Sequence, residues 1–128
     1  MVQGRILKAK TQDIYKGTEY RFEMTLFIFR EGDHYVVYSP AFDLSSTGFE
    51  FNEAFSNFYE AFQLYIEYGL ENGTLWEDLE EHGWKKTPKK ITQPSFSTLM
   101  RKKEMRRLMT GNIGFEKIIT PASIPIHA

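Results

Sequence analysis

Residues 20–30 read Tyr-Arg-Phe-Glu-Met-Thr-Leu-Phe-Ile-Phe-Arg (YRFEMTLFIFR). Tyr20, Phe22, Met24, Leu26 and Ile28 alternate with Arg21, Glu23, Thr25, Phe27 and Phe29. A period of two in an aromatic and β-branched stretch is the mark of a strand with one face in a core. Phe27 and Phe29 make the second face apolar as well, so that end of the strand needs a cover on both sides. Glu31-Gly32-Asp33 then supplies turn residues, and His34–Ser39 (HYVVYS) returns as the partner of an antiparallel hairpin. Pro40 ends the second strand because proline has no N–H for a ladder.

Outward from this hairpin, Ala41 to Glu50 is a connection with room for a short third strand around Leu44 to Gly48. NEAFSNFYEAFQLYIEYGL, running to about Glu71, places Ala54, Phe55, Phe58, Phe62, Tyr65, Ile66 and Gly69 at the three- and four-residue spacing of an amphipathic helix. Asn52 is the better cap by chemistry and Glu50 the alternative. Gly73 after Asn72 closes the helix. Thr74 and Glu77 have capping-box spacing for a short helix through Glu81 or His82, stopped at Gly83. Trp84 packs back over the core, and Trp76 is placed to cover the sheet. In the other direction, Gln3 to Lys10 reads as an edge strand and Asp13 to Thr18 as a turn around Gly17.

Beyond Trp84 the composition shifts. Lys85 to Lys90 around Thr87-Pro88 reads as an exposed linker. Pro94-Ser95 introduces a helix over Phe96 to Thr110, whose apolar residues form no single stripe. Gly111 to Gly114 breaks the chain and Phe115 to Thr120 reads as a last strand. The tail PASIPIHA, with two prolines, cannot be a central strand. The expected fold is α+β, an antiparallel sheet of three or four strands with one long helix across it. This domain spans residues 1–84, and a basic C-terminal extension spans 85–128.

The chain has 128 residues and no cysteine, which excludes disulfide frameworks and cysteine-ligated metal sites. Its 11 Phe, 7 Tyr and 2 Trp bury about 150–250 Å² each, enough for a core without staples. No apolar run approaches the roughly 18 residues of a membrane-spanning helix. MVQGRILKAK lacks the apolar segment of a secretory signal, so a soluble cytoplasmic protein is expected. The charge is sharply partitioned. From Glu31 to Glu81 there are twelve acidic residues and no Lys or Arg, whereas Lys85 to Arg107 holds nine basic residues against Glu104.

The basic positions Lys85, Lys86, Lys89, Lys90, Arg101, Lys102, Lys103, Arg106 and Arg107 are candidate phosphate contacts, with binding that falls as salt rises. A tether to an acidic helix of a second copy, or a solvated face, accounts for them equally. Asp33, Asp43 and Glu53 are the carboxylates to weigh for metal. Asp33 belongs to its turn and Glu53 to a helix's first turn, where the dipole favours an acid. His34, His82 and His127 lack ligand spacing and sit at loops or a terminus. There is no Gly-rich phosphate loop. No catalytic, cofactor or metal site is expected.

Tyr35-Val36-Val37-Tyr38-Ser39-Pro40, followed in register by Glu53-Ala54, Asn57, Glu60-Ala61, Tyr65 and Glu67, resembles the HicB family of antitoxins. The match runs from Phe22 to Glu67. Asp43-Leu44 replaces the family's frequent Pro-Gly bend, and Lys85 to Ala128 registers with neither of its usual DNA-binding modules. The resemblance implies a truncated RNase H-like fold, a dimer or larger oligomer, and no catalysis. It also implies that the chain binds and neutralises a small basic HicA-type toxin that cleaves mRNA, with operator DNA as a further partner. The alternative is an oligomeric interaction scaffold with no toxin partner. Many of the matching positions also serve helix-on-sheet packing, since Ala54 and Ala61 face one side of the helix and permit close approach.

Overall fold

The computed structural model describes residues 19–125. The edge strand over Gln3–Lys10, the turn around Gly17 and His127 lie outside the described residues. Strand β1 (Glu19–Glu31) runs through the middle of an antiparallel sheet ordered β3-β2-β1-β6, with β2 (His34–Ser39), β3 (Leu44–Gly48) and β6 (Phe115–Pro125). The hairpin is as expected: Glu31 opposes His34, and Gly32 sits first in the two-residue loop with φ +65°. That positive φ is what a type II′ turn requires there.

Helix α1 (Phe51–Asn72) lies across one face of the sheet. Ala54, Phe55, Phe58, Phe62 and Ile66 pack on Met24, Leu26, Ile28 and Val37. Gly48 makes this approach possible, because a Cβ there would stand 2.5 Å from the Ala54 nitrogen. The helix starts from Glu50 rather than Asn52. Its first turn is fastened by Glu53, whose carboxylate accepts the Phe49 N–H at 2.6 Å. Gly73, with φ +67°, ends it, and the Thr74 and Gly73 amides bond the Gly69 and Leu70 carbonyls. This is a Schellman closure. Tyr59 joins the buried stripe, its hydroxyl donating to Thr120 Oγ1 at 3.0 Å.

Helix α2 (Leu75–Glu81) follows, but the Thr74 side chain makes no cap hydrogen bond, so the expected capping box does not form. Trp84 is buried, with its indole N–H donating to the Ala41 carbonyl at 2.7 Å.

After Trp84 the structure departs from the sequence reading. The expected linker is a hairpin of β4 (Lys85–Lys86) and β5 (Ile91–Thr92), closed by Thr87 and Lys90 and held by the Tyr20 hydroxyl on the Thr87 carbonyl. The single helix over Phe96–Thr110 is two helices, α3 (Phe96–Leu99) and α4 (Lys103–Thr110). Ser95 caps the first, its hydroxyl accepting the Thr98 N–H. Strand β6 runs past Thr120 to Pro125 and pairs with β1 from Glu19 to Phe29. It lies at the sheet's edge, where its prolines are tolerated.

Residues 85–125 are therefore no appendage to a domain ending at residue 84. They supply the fourth strand, and they cover the second face of the sheet. Met105 and Leu108 of α4 bury Phe27, Phe29, Val36 and Tyr38. The cover demanded by Phe27 and Phe29 comes from the same chain.

Candidate interaction surfaces

The positions that carry the resemblance divide into two groups. Most build the frame. Tyr38 is buried and donates to Asp43 Oδ1 at 2.8 Å. Asp43 holds φ +51°, so the bend after Pro40 is made by a left-handed aspartate, a residue type that tolerates this conformation. Tyr35 sits half-buried, edge-on to Phe51, with the Arg30 guanidinium over its ring. Pro40 and Ala54 are buried, and Ala61 is half-buried. Asn57 donates to the Thr47 carbonyl at 2.8 Å, tying α1 to β3. Tyr65 donates to the Asp78 carboxylate, tying α1 to α2. Burial, reinforced by Asp43 and Asp78, pushes the Tyr38 and Tyr65 phenols well above their usual range.

Glu60 and Glu67 are different, for they face solvent. With Glu53 and Glu71 of α1, and Glu77, Glu80 and Glu81 of α2, they form an acidic face. Among the described residues, none of these carboxylates lies within ion-pair distance of a Lys or Arg. Leu64 and Tyr68, one turn apart, are exposed on the same helix. Where α1 meets α2, a groove of about 330 Å³ is lined by Tyr65, Tyr68, Leu75, Glu77, Asp78 and Glu81.

The structure does not gather the nine basic candidates into one patch. Lys85, Lys86, Lys89 and Lys90 are exposed on the β4–β5 hairpin, with Lys86 over the Trp76 ring at 4.3 Å. Arg101, Lys103 and Arg106 are exposed around α4. Arg106 bends back to bond the Arg101 and Met100 carbonyls. The other two are engaged internally. Arg107 bonds Glu31 at 2.8 Å and Glu104 at 3.2 Å, and these bonds raise its pKa. Lys102 is half-buried, its ammonium 3.0 Å from His82 Nδ1. Burial lowers the Lys102 pKa, opposed by the charges of Asp43 and Asp78.

His82 is thus drawn into a chain from Tyr65 through Asp78 to Lys102, with its Nε2 3.8 Å from Asp78 Oδ2. The sequence alone reads His82 as a loop histidine with no partner. Only the Asp78–His82 spacing of four on a helix hinted at this contact. Among the described residues no group of three His, Asp or Glu could hold a metal, and no helix is long and apolar enough to cross a membrane. Compared with known proteins, the chain matches no family model, no curated protein and no solved structure.

Proposed function

We propose that this protein is a HicB-like antitoxin that acts by binding. It neutralises a small basic HicA-type toxin by covering that toxin's RNA-cleaving surface. The observation that carries the reading is the acidic face of α1 and α2, whose carboxylates have no cationic partner among the described residues. An RNA-binding protein presents cations to phosphates. A surface of unpaired carboxylates competes for those cations and speeds encounter through long-range attraction. The motif residues from Tyr35 to Glu67 agree with this, since they set α1 on the sheet with Glu60 and Glu67 outward.

The test is to look beside this chain's gene in its native host for a short basic reading frame, whose absence counts against the reading, and to co-express its product with the chain. Wild type should restore growth and co-purify with that protein. Glu60→Lys/Glu67→Lys should slow association by tenfold or more at low salt, an order of magnitude expected for loss of electrostatic steering. An association rate indifferent to salt and to both reversals refutes the reading.

A second reading, operator DNA binding, is favoured by the four exposed lysines of the β4–β5 hairpin. Neutralising Lys89 and Lys90 should then lower the salt dependence of binding in a gel shift with the chain's own promoter.

A further inference from the structure

Where β1 and β6 meet the short helices α3 and α4, the second face of the sheet holds a groove of about 470 Å³. Its apolar walls are Phe27, Phe96, Leu99, Met105, Met109 and Phe115. Phe27 is buried in the cluster beneath α4, and Phe115 stands edge-on to it with ring centroids 5.2 Å apart. The rim is open to water, with Phe96 60% exposed and Phe115 39%. Small-molecule sites are concave, mostly apolar and about 300–1,000 Å³ in volume, with a few polar groups that fix orientation. This groove has that size and that lining.

Its polar side names the ligand. Lys117 lies directly opposite Phe27 in the β1–β6 ladder, so both side chains point to the same side of the sheet. Among the described residues, Lys117 is the one charged side chain lining the groove, and it is in no ion pair. A lone ammonium beside an apolar trough complements one negative charge on an apolar body. It is a point charge without the guanidinium fork that favours phosphate, so a carboxylate monoanion matches it best. Met105 and Met109 are unbranched and adaptable, suited to a flexible chain. Two partly exposed phenylalanines fall well short of the roughly 800 Å² per partner that a stable protein interface takes, which favours a small molecule over a protein.

We propose that this groove binds a small amphipathic carboxylate of the fatty-acid type. The chain lies against Phe27, Phe96 and the two methionines, and the head pairs with the Lys117 ammonium. The site is on the opposite face of the sheet from α1, so it stands independently of the acidic face and of any toxin.

Decanoate below its micellar concentration is the probe, with the full chain carbon-13-labelled at the methyl groups of its five methionines. Decanoate should shift the Met105 and Met109 methyls and leave Met24, buried in the main core beneath α1, in place. By calorimetry decanoate should bind at least fivefold more tightly than decanol. Lys117→Glu, which turns attraction into repulsion, should weaken decanoate about tenfold and decanol less than about twofold. Lys117→Arg should hold decanoate to within about threefold of wild type, and Phe96→Ala, at an exposed position, should weaken both ligands alike. Decanol binding as tightly as decanoate overturns the proposal. So does an unchanged decanoate affinity in Lys117→Glu, or shifts spread over all five methyls. Met105 and Met109 shifts that follow protein concentration with no decanoate present would put a second copy in the groove and overturn it equally.

Discussion

Burial helps three tyrosines keep their phenol protons. At Tyr38 and Tyr65 desolvation is the larger cause, and the carboxylates of Asp43 and Asp78 add to it by hydrogen bond and charge. At Tyr59 burial again raises the pKa, while the Thr120 hydrogen bond pulls weakly the other way. A folded pKa above the unfolded value means that the folded and unfolded chains bind these protons equally below about pH 10. Above that pH the unfolded chain releases protons the folded chain keeps, so stability falls. Lys102 works with the opposite sign. Its pKa is lowered by burial, so the unfolded chain binds more protons between the folded value and about 10.5, and stability rises with pH there. One lysine is outweighed by three phenols above pH 10. A titration followed at 295 nm should therefore show a late phase that coincides with loss of the near-ultraviolet dichroism. Tyr38→Phe or Tyr65→Phe should shrink that phase by one proton. If every tyrosine ionises in one wave while the fold persists, the buried hydrogen bonds to Asp43 and Asp78 do not exist in solution.

At the level of elements, α4 is the piece whose role depends most on packing. Leu108 is buried against the aromatic second face, whereas Arg107 is anchored at the rim by Glu31 and Glu104. Leu108→Ala should cost about 2–5 kcal/mol, the range for a large-to-small core change. Arg107→Ala should cost about 1 kcal/mol or less, because solvent screens a partly exposed pair. Urea denaturation reads both, and equal costs would mean that the clasp, not the apolar cover, holds α4 in place. Sequence periodicity reveals β1, β2 and α1 directly because each repeats its pattern over several residues. The break between α3 and α4 is subtler. Phe96, Leu99 and Met100 form one triplet with helical spacing, and Met105, Leu108 and Met109 form another. The offset of nine residues between them corresponds to about 180° around a continuous helix of 3.6 residues per turn. One helix cannot turn both triplets to the sheet, and two can. The failure to form a single stripe was itself the evidence for a break. By contrast, β4 and β5 have two residues each, too few for any alternation to register. Tyr59 escaped because its partner Thr120 lies 61 positions away, a contact no local pattern encodes. The acidic face was legible as the off-stripe glutamates of α1, but the engagement of Lys102 and Arg107 depended on where α4 folds back.

For the molecule as a whole, the decisive feature is the unequal length of the strands. Strand β1 has 13 residues, yet β2 pairs only with Phe27 to Glu31. The earlier half of β1 has β6 on one side, from Glu19↔Pro125 onward. On the other side, the Gln93 amide donates to the Glu23 carbonyl at 2.9 Å. Both contributions come from residues after Trp84. Ala122 and Ile124 of β6 also belong to the main core beneath α1. A chain ending at Trp84 would lose the whole β6 ladder along β1 and the apolar burial of Ala122 and Ile124, about 1.5–3 kcal/mol for a fully buried Ile alone, and would open the core beside Tyr59. With total stabilities of about 5–15 kcal/mol, that loss is enough to unfold the domain. The fragment 1–84 is therefore expected to give a poorly dispersed amide spectrum and no cooperative urea transition. The full chain with Lys85, Lys86, Lys89 and Lys90 all changed to Ser should keep both. Deleting the basic region would thus abolish any binding by unfolding the protein, whatever that region contacts. Charge neutralisation on the intact sheet separates the two causes. A well-dispersed, cooperatively melting 1–84 fragment would show instead that β6 merely decorates a self-sufficient hairpin and helix.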